Sequence, residues 1–206
     1  MAVDAVIFDI GNVLIEWQPE RYFDRVIGRA RRRELFAEVD VHGMMTRIDS
    51  GGDFAGVIGE IATRHPRWRA EIMRFRECWC DIASPEIPGS VAILRALRAR
   101  GVPVFALSNF GAANFPLSVA RFPFLAEFDR RYISGEMGMA KPDPEIYAAL
   151  EADCGIAPER LLFTDDRAGN IAAAAALGWQ THLFDGADGL AQSLRDCGLL
   201  QAEDTA

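Results

Sequence analysis

Residues 5–12 read AVIFDIGN, and this stretch decides the fold. Its first four residues are apolar, and Asp9 and Gly11 follow at once. A short apolar run that stops at a polar residue and a glycine is typical of a buried strand followed by a turn. The sequence therefore predicts a strand over Ala5–Asp9 whose carboxyl end carries a carboxylate.

Three similar apolar runs occur later in the chain, and a helical pattern precedes each of them. The runs are Val102–Ser108 (VPVFALS), Leu161–Asp165 (LLFTD) and Gln180–Phe184 (QTHLF), and the helical patterns are Val91–Arg100, Pro144–Ala152 and Ile171–Leu177. Strands that alternate with helices indicate βαβ units and a parallel sheet. Because the strands are almost continuously apolar, we expect the sheet to be covered on both faces.

The alternation is interrupted between residues 17 and 84. This stretch has helical patterns at Arg21–Val39, Asp53–Arg64 and Trp68–Cys80, expected loops at His42–Gly52 and His65–Pro66, and no strand pattern. The sequence thus predicts an α/β core made of residues 1–16 and 85–206. Residues 17–84 form a helical insertion after the first strand.

Polar side chains follow the predicted strands at the points where the strands end. In chain order they are Asp9, the pair Ser108-Asn109 and the pair Asp165-Asp166, and Lys141 stands just before a predicted helix. Each of them alone is commonly a turn or capping residue. In open parallel sheets, however, ligands bind outside the carboxyl ends of the strands. Their common position at one edge of the sheet favours a functional site, and a cation there would relieve the repulsion between two adjacent aspartates.

The charge balance excludes one class of partner. The chain has 22 basic and 30 acidic residues, a net charge of −8. Phosphate backbones are bound by an excess of Lys and Arg, so we expect no nucleic-acid partner. Lys141 is the one lysine among the basic residues, and the others are arginines. That exception suggests that position 141 requires a lysine.

Composition also suggests where the protein works. Four cysteines are scattered without zinc-site spacing, which is typical of a reducing compartment. The amino-terminal residues have no secretory-signal pattern, and no apolar run reaches about 18 residues. We expect a cytoplasmic protein with no membrane partner, monomeric or homodimeric.

Four segments together resemble the motifs of the haloacid dehalogenase-like hydrolase superfamily. They are FDIGNV (Phe8–Val13), LSN (Leu107–Asn109), KPDP (Lys141–Pro144) and FTDDRAGNI (Phe163–Ile171), and they occur in the order of that family. The first segment is most similar to the branch that holds bacterial glucose-1-phosphate phosphatases and the phosphatase domain of soluble epoxide hydrolases. The resemblance implies a Rossmann-like α/β core, with the insertion at 17–84 as an α-helical cap.

The resemblance also implies an activity, which is Mg²⁺-dependent hydrolysis of a small phosphorylated metabolite, with a sugar phosphate as the first candidate. Asp9 would attack phosphorus and form an aspartyl-phosphate. The implied metal ligands are Asp9, the Gly11 carbonyl, Asp165 and Asp166, and the implied substrate contacts are Ser108, Asn109 and Lys141. The cap would close over the site, and its Trp17, Trp68 and Trp79 belong either to the substrate pocket or to the core of the cap itself.

One position departs from the family pattern. Most phosphatases of this superfamily have a second aspartate two residues after the nucleophile, which serves as general acid and base, and Gly11 stands there in this chain. The departure leaves open a 2-haloacid dehalogenase, which uses the same nucleophile without a metal. A phospho-accepting receiver-type signalling domain is the alternative from another class, although such domains have no helical insertion of this size.

Overall fold

The computed structural model describes residues 2–205, and these residues contain seven strands. The strands are β1 (Ala5–Phe8), β2 (Ile15–Trp17), β3 (Ala83–Glu86), β4 (Val104–Ser108), β5 (Arg130–Ile133), β6 (Leu161–Asp165) and β7 (Gln180–Leu183). Five of them form one sheet in the order β5-β4-β1-β6-β7. Every neighbouring pair in this sheet is parallel, and β1 lies at its centre.

The described residues contain twelve α-helices. They are α1 (Pro19–Ile27), α2 (Arg29–Glu38), α3 (Val41–Asp49), α4 (Phe54–Arg64), α5 (Arg69–Glu77), α6 (Trp79–Ile82), α7 (Pro88–Ala99), α8 (Phe115–Arg121), α9 (Ser134–Met137), α10 (Pro144–Cys154), α11 (Ala168–Ala176) and α12 (Ala187–Asp196). Short 3₁₀ turns occupy Pro66–Trp68, Pro123–Ala126, Pro158–Arg160 and Ala202–Thr205.

Alternate residues of the central strand enter two separate apolar clusters. Val6 and Phe8 pack in one cluster with residues of α7 and α12. Ala5 and Ile7 pack in the other with residues of α10 and α11. Because successive strand residues point to opposite faces, the sheet is covered by helices on both sides. The predicted α/β fold with a parallel-sheet core is confirmed.

Helices α1 to α6 lie between two short strands that pair with each other. β2 and β3 run antiparallel, and Trp17 lies opposite Ala83. The chain therefore enters and leaves the helical stretch through one two-stranded ribbon. The expectation of no strand in residues 17–84 is wrong at both ends. Strands of only three or four residues are too short to give a periodic signal in the sequence.

The predicted helix at Arg21–Val39 is two helices, and the predicted loop at His42–Gly52 contains another. Gly28 separates α1 from α2 with a backbone φ of +81°, a conformation that glycine adopts without strain. α3 begins after Asp40, whose carboxylate accepts a hydrogen bond from the Gly43 amide at 2.8 Å. The helix buries four apolar side chains spaced by three, one and three residues: Val41, Met44, Met45 and Ile48. Burial of this face outweighs the low helix propensity of Gly43.

The edge strand β5 was not predicted from the sequence. It reads RRYI, and Arg130 and Arg131 at its start are exposed. An edge strand of a sheet commonly carries charged residues, so its sequence resembles that of a loop.

Among residues 2–205, no helix has both the length and the apolar character needed to cross a membrane.

Candidate active site

The carboxyl ends of β1, β4 and β6 bring the predicted polar residues together. Asp9 follows β1, Ser108 ends β4 and Asp165 ends β6, and all three side chains are buried. Since β1 lies between the other two strands, its carboxylate is at the centre of the group. The parallel arrangement of the strands therefore brings these three side chains together at one edge of the sheet.

Three donors converge on one oxygen of Asp9. Oδ1 accepts hydrogen bonds from the Ile10 amide at 2.7 Å and the Ser108 hydroxyl at 2.6 Å, and the Lys141 Nζ lies 3.0 Å away. Burial raises the pKa of Asp9 to about 6, against the opposing charge of Lys141. None of the hydrogen bonds among the described residues reaches Oδ2. The carboxylate is thus held firmly through one oxygen and offers the other.

Lys141 is buried and its ammonium has three oxygen neighbours. Besides Asp9, Nζ donates to Asp165 Oδ2 at 2.6 Å and to the Leu107 carbonyl at 2.8 Å. Asn109 fixes the backbone of this lysine: its amide donates to the Lys141 carbonyl and accepts from the Lys141 N–H, both at 2.8 Å. The side chain of Asn109 therefore positions Lys141 and is not free for another ligand.

Asp165 is fully occupied by donors from the protein. Oδ1 accepts from the Arg167 amide at 2.8 Å and from Asn170 Nδ2 at 3.0 Å, while Oδ2 accepts from the same Nδ2 at 2.9 Å and from Lys141. Asn170 is buried and was not singled out from the sequence, although it lies within the motif FTDDRAGNI. Its role depends on the first turn of α11, which brings it back over Asp165.

Asn12 connects the loop that follows Asp9 to Asp166. Its Nδ2 donates to Asp166 Oδ2 at 3.0 Å, and its Oδ1 accepts from the Trp17 amide at 2.9 Å. The backbone of Asn12 has φ +55°, the left-handed region that asparagine tolerates better than most residues. Asn12 was not among the residues predicted for the site. Burial raises the pKa of Asp166, and the amide of Asn12 opposes this.

Three carboxylates are close enough to hold one cation. Asp9, Asp165 and Asp166 each offer an oxygen, and these oxygens lie within 4.8 Å of one another. Asp9 and Asp166 each keep an oxygen that accepts no hydrogen bond among residues 2–205, whereas Asp165 has none to spare. Such an all-oxygen group suits a hard divalent cation such as Mg²⁺. Gly11 lies beside the group in the cavity wall.

A cavity of about 600 Å³ opens above these residues. Its floor contains Asp9, Ser108, Lys141 and Asp166, and its opposite wall includes one face of α3. That face consists of His42, Met45, Thr46 and Asp49, which are spaced by three, one and three residues along the helix. The helix that the sequence analysis took for a loop is therefore part of the site.

Asp49, at the carboxyl end of α3, was missed with that helix. The pKa of its carboxyl is raised to about 7, first by burial and then by the charge of Asp9. The Ser134 hydroxyl donates to the Asp49 carbonyl at 2.5 Å, and the same hydroxyl accepts from the Phe110 amide at 2.9 Å. An apolar periodicity after Asp40 was the signal that could have revealed the helix.

The three tryptophans of residues 17–84 have different surroundings. Trp17 and Trp79 line the cavity, with ring centroids 5.2 Å apart, and Trp79 Nε1 donates to the Ser118 hydroxyl at 2.8 Å. Trp68 is buried among the inserted helices and donates to Glu38 at 2.7 Å. Trp68 thus belongs to the core of the helical stretch, and the other two belong to the wall of the cavity.

Comparison with known proteins identifies a family and several relatives. Residues 3–178 match the family of haloacid dehalogenase-like hydrolases. The sesquiterpene phosphatase astK of Aspergillus oryzae is 31% identical over 88% of this chain and 90% of its own length. The D-ribitol-5-phosphate phosphatase of Bacteroides thetaiotaomicron is 24% identical over 85% of this chain and 89% of its own. With three other curated relatives, the chain spans 46% or less of their length.

Solved structures show the same architecture. The crystal structure of a HAD family enzyme from Bacteroides thetaiotaomicron, in complex with magnesium and inorganic phosphate, is 25% identical to this chain. It superposes with a TM-score of 0.69 over 90% of this chain and 96% of that one. The L-2-haloacid dehalogenase of Xanthobacter autotrophicus is 18% identical with a TM-score of 0.62, which is a likeness of fold alone.

Proposed function

The chain belongs to the haloacid dehalogenase-like hydrolase family, and we propose that it hydrolyses a small phosphomonoester in a Mg²⁺-dependent reaction at Asp9. The observation that carries the proposal is that a firmly held carboxylate, Asp9, lies beside a group of carboxylates at the sheet edge. Asp9 is held through Oδ1 by Ile10, Ser108 and Lys141, while Asp9 and Asp166 keep free oxygens on a cluster fit for a cation. Phosphatases among the relatives support the same reaction class.

We assign the Mg²⁺ ligands to Asp9, Asp166 and the carbonyl of Gly11. Asp165 was expected to be a ligand too, but its four protein hydrogen bonds suit it better to orienting Lys141. At this site Mg²⁺ would offset the negative charge of the carboxylates and of the phosphate dianion and would polarise the phosphoryl oxygens. The hydrogen bond from Asn12 orients Asp166 for this purpose.

The other residues of the cavity floor have separate roles in the proposed reaction. Asp9 attacks phosphorus and forms an aspartyl-phosphate, which water then hydrolyses. Lys141, a compact cation fixed beside Asp9, stabilises the phosphoryl oxygens between nucleophile and substrate. Ser108 donates its hydroxyl to Asp9 in the free protein and would turn it to one of these oxygens when substrate binds. Asn109 contributes its backbone, because its side chain is engaged with Lys141.

The helical stretch acts as a cap in this proposal. Residues 17–84 provide Trp17, Trp79 and the α3 face to the cavity, opposite the sheet edge. A cap in this position excludes water and selects the leaving group. The boundaries of cap and core, the cytoplasmic location and the monomeric or homodimeric state stay predictions.

A sugar phosphate is the first candidate for the substrate. The ribitol-phosphate phosphatase among the relatives supports it. The cavity wall favours a second candidate, an apolar alkyl phosphate, because Trp17, Met45 and Trp79 offer a partly apolar surface to the leaving group. The sesquiterpene phosphatase among the relatives supports this second class.

A release assay tests the reaction and compares these substrates. Phosphate release is measured from sugar phosphates, a nucleotide and an isoprenoid alkyl phosphate, each with Mg²⁺ and with EDTA, and chloride release from 2-chloropropionate is measured in parallel. We expect Mg²⁺-dependent phosphate release that Asp9→Asn abolishes. Chloride release without phosphate release would instead identify a dehalogenase. A phosphoryl group that persists on Asp9 without turnover would indicate a receiver-type domain.

A further inference from the structure

The nucleophile loop lacks a group that can transfer a proton to the leaving oxygen. Gly11 has no side chain, and a Cβ built there would meet nothing within 4 Å, so the space is open. The Asn12 amide is engaged with Asp166 and with the Trp17 backbone. An alkyl phosphate leaves as a strongly basic alkoxide, and general acid assistance is typically worth about 10²–10⁴-fold in rate. A protein group that gives this proton must therefore lie elsewhere in the cavity.

Asp49 faces the floor of the cavity from the α3 wall. Among the residues of the helical stretch that line the cavity within the described chain, it is the sole carboxyl. It is not part of the group of three carboxylates fit for a cation. The charges of Asp9, Lys141 and Arg167 act on it from three different segments of the core. Asp49 and Asp9 thus border the same space from the cap and from the sheet.

The position of Asp49 is fixed to the core. The Ser134 hydroxyl donates to the Asp49 carbonyl and accepts from the Phe110 amide, which links the end of α3 to the residues after β4 and β5. After Asp49 the chain turns at once: Gly51 has φ +97°, and a Cβ on Gly52 would lie 2.5 Å from the Arg47 carbonyl. A residue on the cap is in this way held at a defined place over the site.

We propose that Asp49 is the general acid and base that replaces the side chain missing at position 11. The inference rests on the proposed phosphomonoester hydrolysis. In the first step Asp9 forms a bond to phosphorus, the bond from phosphorus to the leaving oxygen breaks, and the Asp49 carboxyl gives its proton to that oxygen. In the second step the Asp49 carboxylate takes a proton from water. The water oxygen bonds to phosphorus, the bond from phosphorus to Asp9 breaks, and both carboxyls return to their starting states.

The electrostatic surroundings of Asp49 suit this role. Burial raises the pKa of its carboxyl to about 7, and the charge of Asp9 adds to the effect. The Gly111 amide, Arg167 and Lys141 oppose it. On the same helix, His42 is exposed and lies about two turns before Asp49. Arg47 is paired with Glu60 at 2.7 Å. A group with a pKa near the working pH can both donate and accept a proton.

A leaving-group series tests the proposal. Rates of phosphoenzyme formation are measured by rapid quench for an alkyl phosphate and for 4-nitrophenyl phosphate, with wild type, Asp49→Asn and Asp40→Asn. Asparagine keeps the shape and an acceptor for the Gly111 amide but carries no proton to transfer. The control variant makes the same change at the other end of α3, where asparagine also caps the helix.

We expect Asp49→Asn to lose about 10²–10⁴-fold with the alkyl phosphate and less than about tenfold with the nitrophenyl ester, whose leaving group needs no proton. Phosphoenzyme accumulates in this variant, because water is no longer activated. Equal losses with both substrates, or no loss with either, would overturn the role of Asp49. A failure of the proposed function itself would look different, because wild type would then form no phosphoenzyme and release no phosphate.

A titration without substrate or metal gives an independent readout. In EDTA, with aspartate labelled by ¹³C at the carboxyl, we expect a resonance that titrates near pH 7 and is absent from Asp49→Asn. It persists in Asp40→Asn. If the resonance lost in Asp49→Asn titrates near the ordinary aspartate value of about 4, the proposal is wrong, because the carboxyl would hold no proton at neutral pH.

Discussion

Replacing Asp49 by asparagine is expected to change how stability depends on pH. The pKa of this carboxyl rises from its ordinary value of 3.8 to about 7 in the folded protein. Between these values the unfolded chain has lost the proton while the folded chain keeps it. The folded state then binds more protons, so the free energy of unfolding falls as pH rises from about 4 to about 7.

The size of this effect follows from the two pKa values. Each pH unit between them is worth about 1.4 kcal/mol, which gives an upper bound of about 4 kcal/mol. Asp49 is half-buried and lines a cavity that water can enter, so screening reduces this figure, and we expect about 2 kcal/mol. Asparagine does not ionise, and the stability of Asp49→Asn relative to wild type should rise by this amount between pH 4 and pH 8.

Urea unfolding at a series of pH values in EDTA measures the difference. Other carboxyls also titrate in this range, and the subtraction of wild type from variant cancels the contribution of those that do not interact with Asp49. Asp9 does interact with Asp49, so the same pair is also compared in an Asp9→Asn background. Asp40→Asn shows how α3 responds to the loss of a carboxyl outside the cavity. A difference between Asp49→Asn and wild type that stays constant within about 0.5 kcal/mol from pH 4 to pH 8 would refute the reasoning.

Three further substitutions probe the rest of the site. Lys141→Arg should reduce kcat almost as much as Lys141→Ala, because three oxygens within 3.0 Å of Nζ leave no room for a guanidinium; an arginine variant that keeps more than about a third of the activity would contradict this. Asn12→Gly accepts the positive φ but releases Asp166, so calorimetry should show Mg²⁺ binding weakened about 10–100-fold; unchanged affinity would argue against the orienting role. Ser134→Ala removes the link to the Asp49 carbonyl, and rapid quench should show the leaving-group pattern of Asp49→Asn in weaker form; a uniform loss across substrates would indicate a structural role only.

The sheet and its site edge could be predicted because their signals are local. A buried strand such as β1 is a continuous apolar run, and the parallel arrangement then places Asp9 and Asp165 at the same edge whatever the loops do. β5 escaped prediction because an edge strand is stabilised by its neighbour β4 and carries arginines of its own. Tertiary pairing decided its structure.

The candidate site was incomplete for a related reason. Asn12 and Asn170 act through hydrogen bonds to Asp166 and Asp165, and a side-chain partner cannot be read from residue type and spacing alone. Asp49 was lost with α3, because His42–Gly52 was expected to be a loop, and its three glycines have low helix propensity. The apolar spacing from Val41 to Ile48 was the stronger indication, since the buried face determines whether such a helix forms.

The phosphorylated intermediate tests the central claim most directly. Wild-type protein is mixed with Mg²⁺ and an excess of phosphomonoester in ¹⁸O-labelled water, quenched in acid within one turnover, and digested for mass spectrometry. We predict one phosphoryl group on the peptide that contains Asp9, none in Asp9→Asn, and ¹⁸O in the released phosphate. Turnover without a phosphoryl group on that peptide, or ¹⁸O incorporated into the Asp9 carboxylate, would contradict the account.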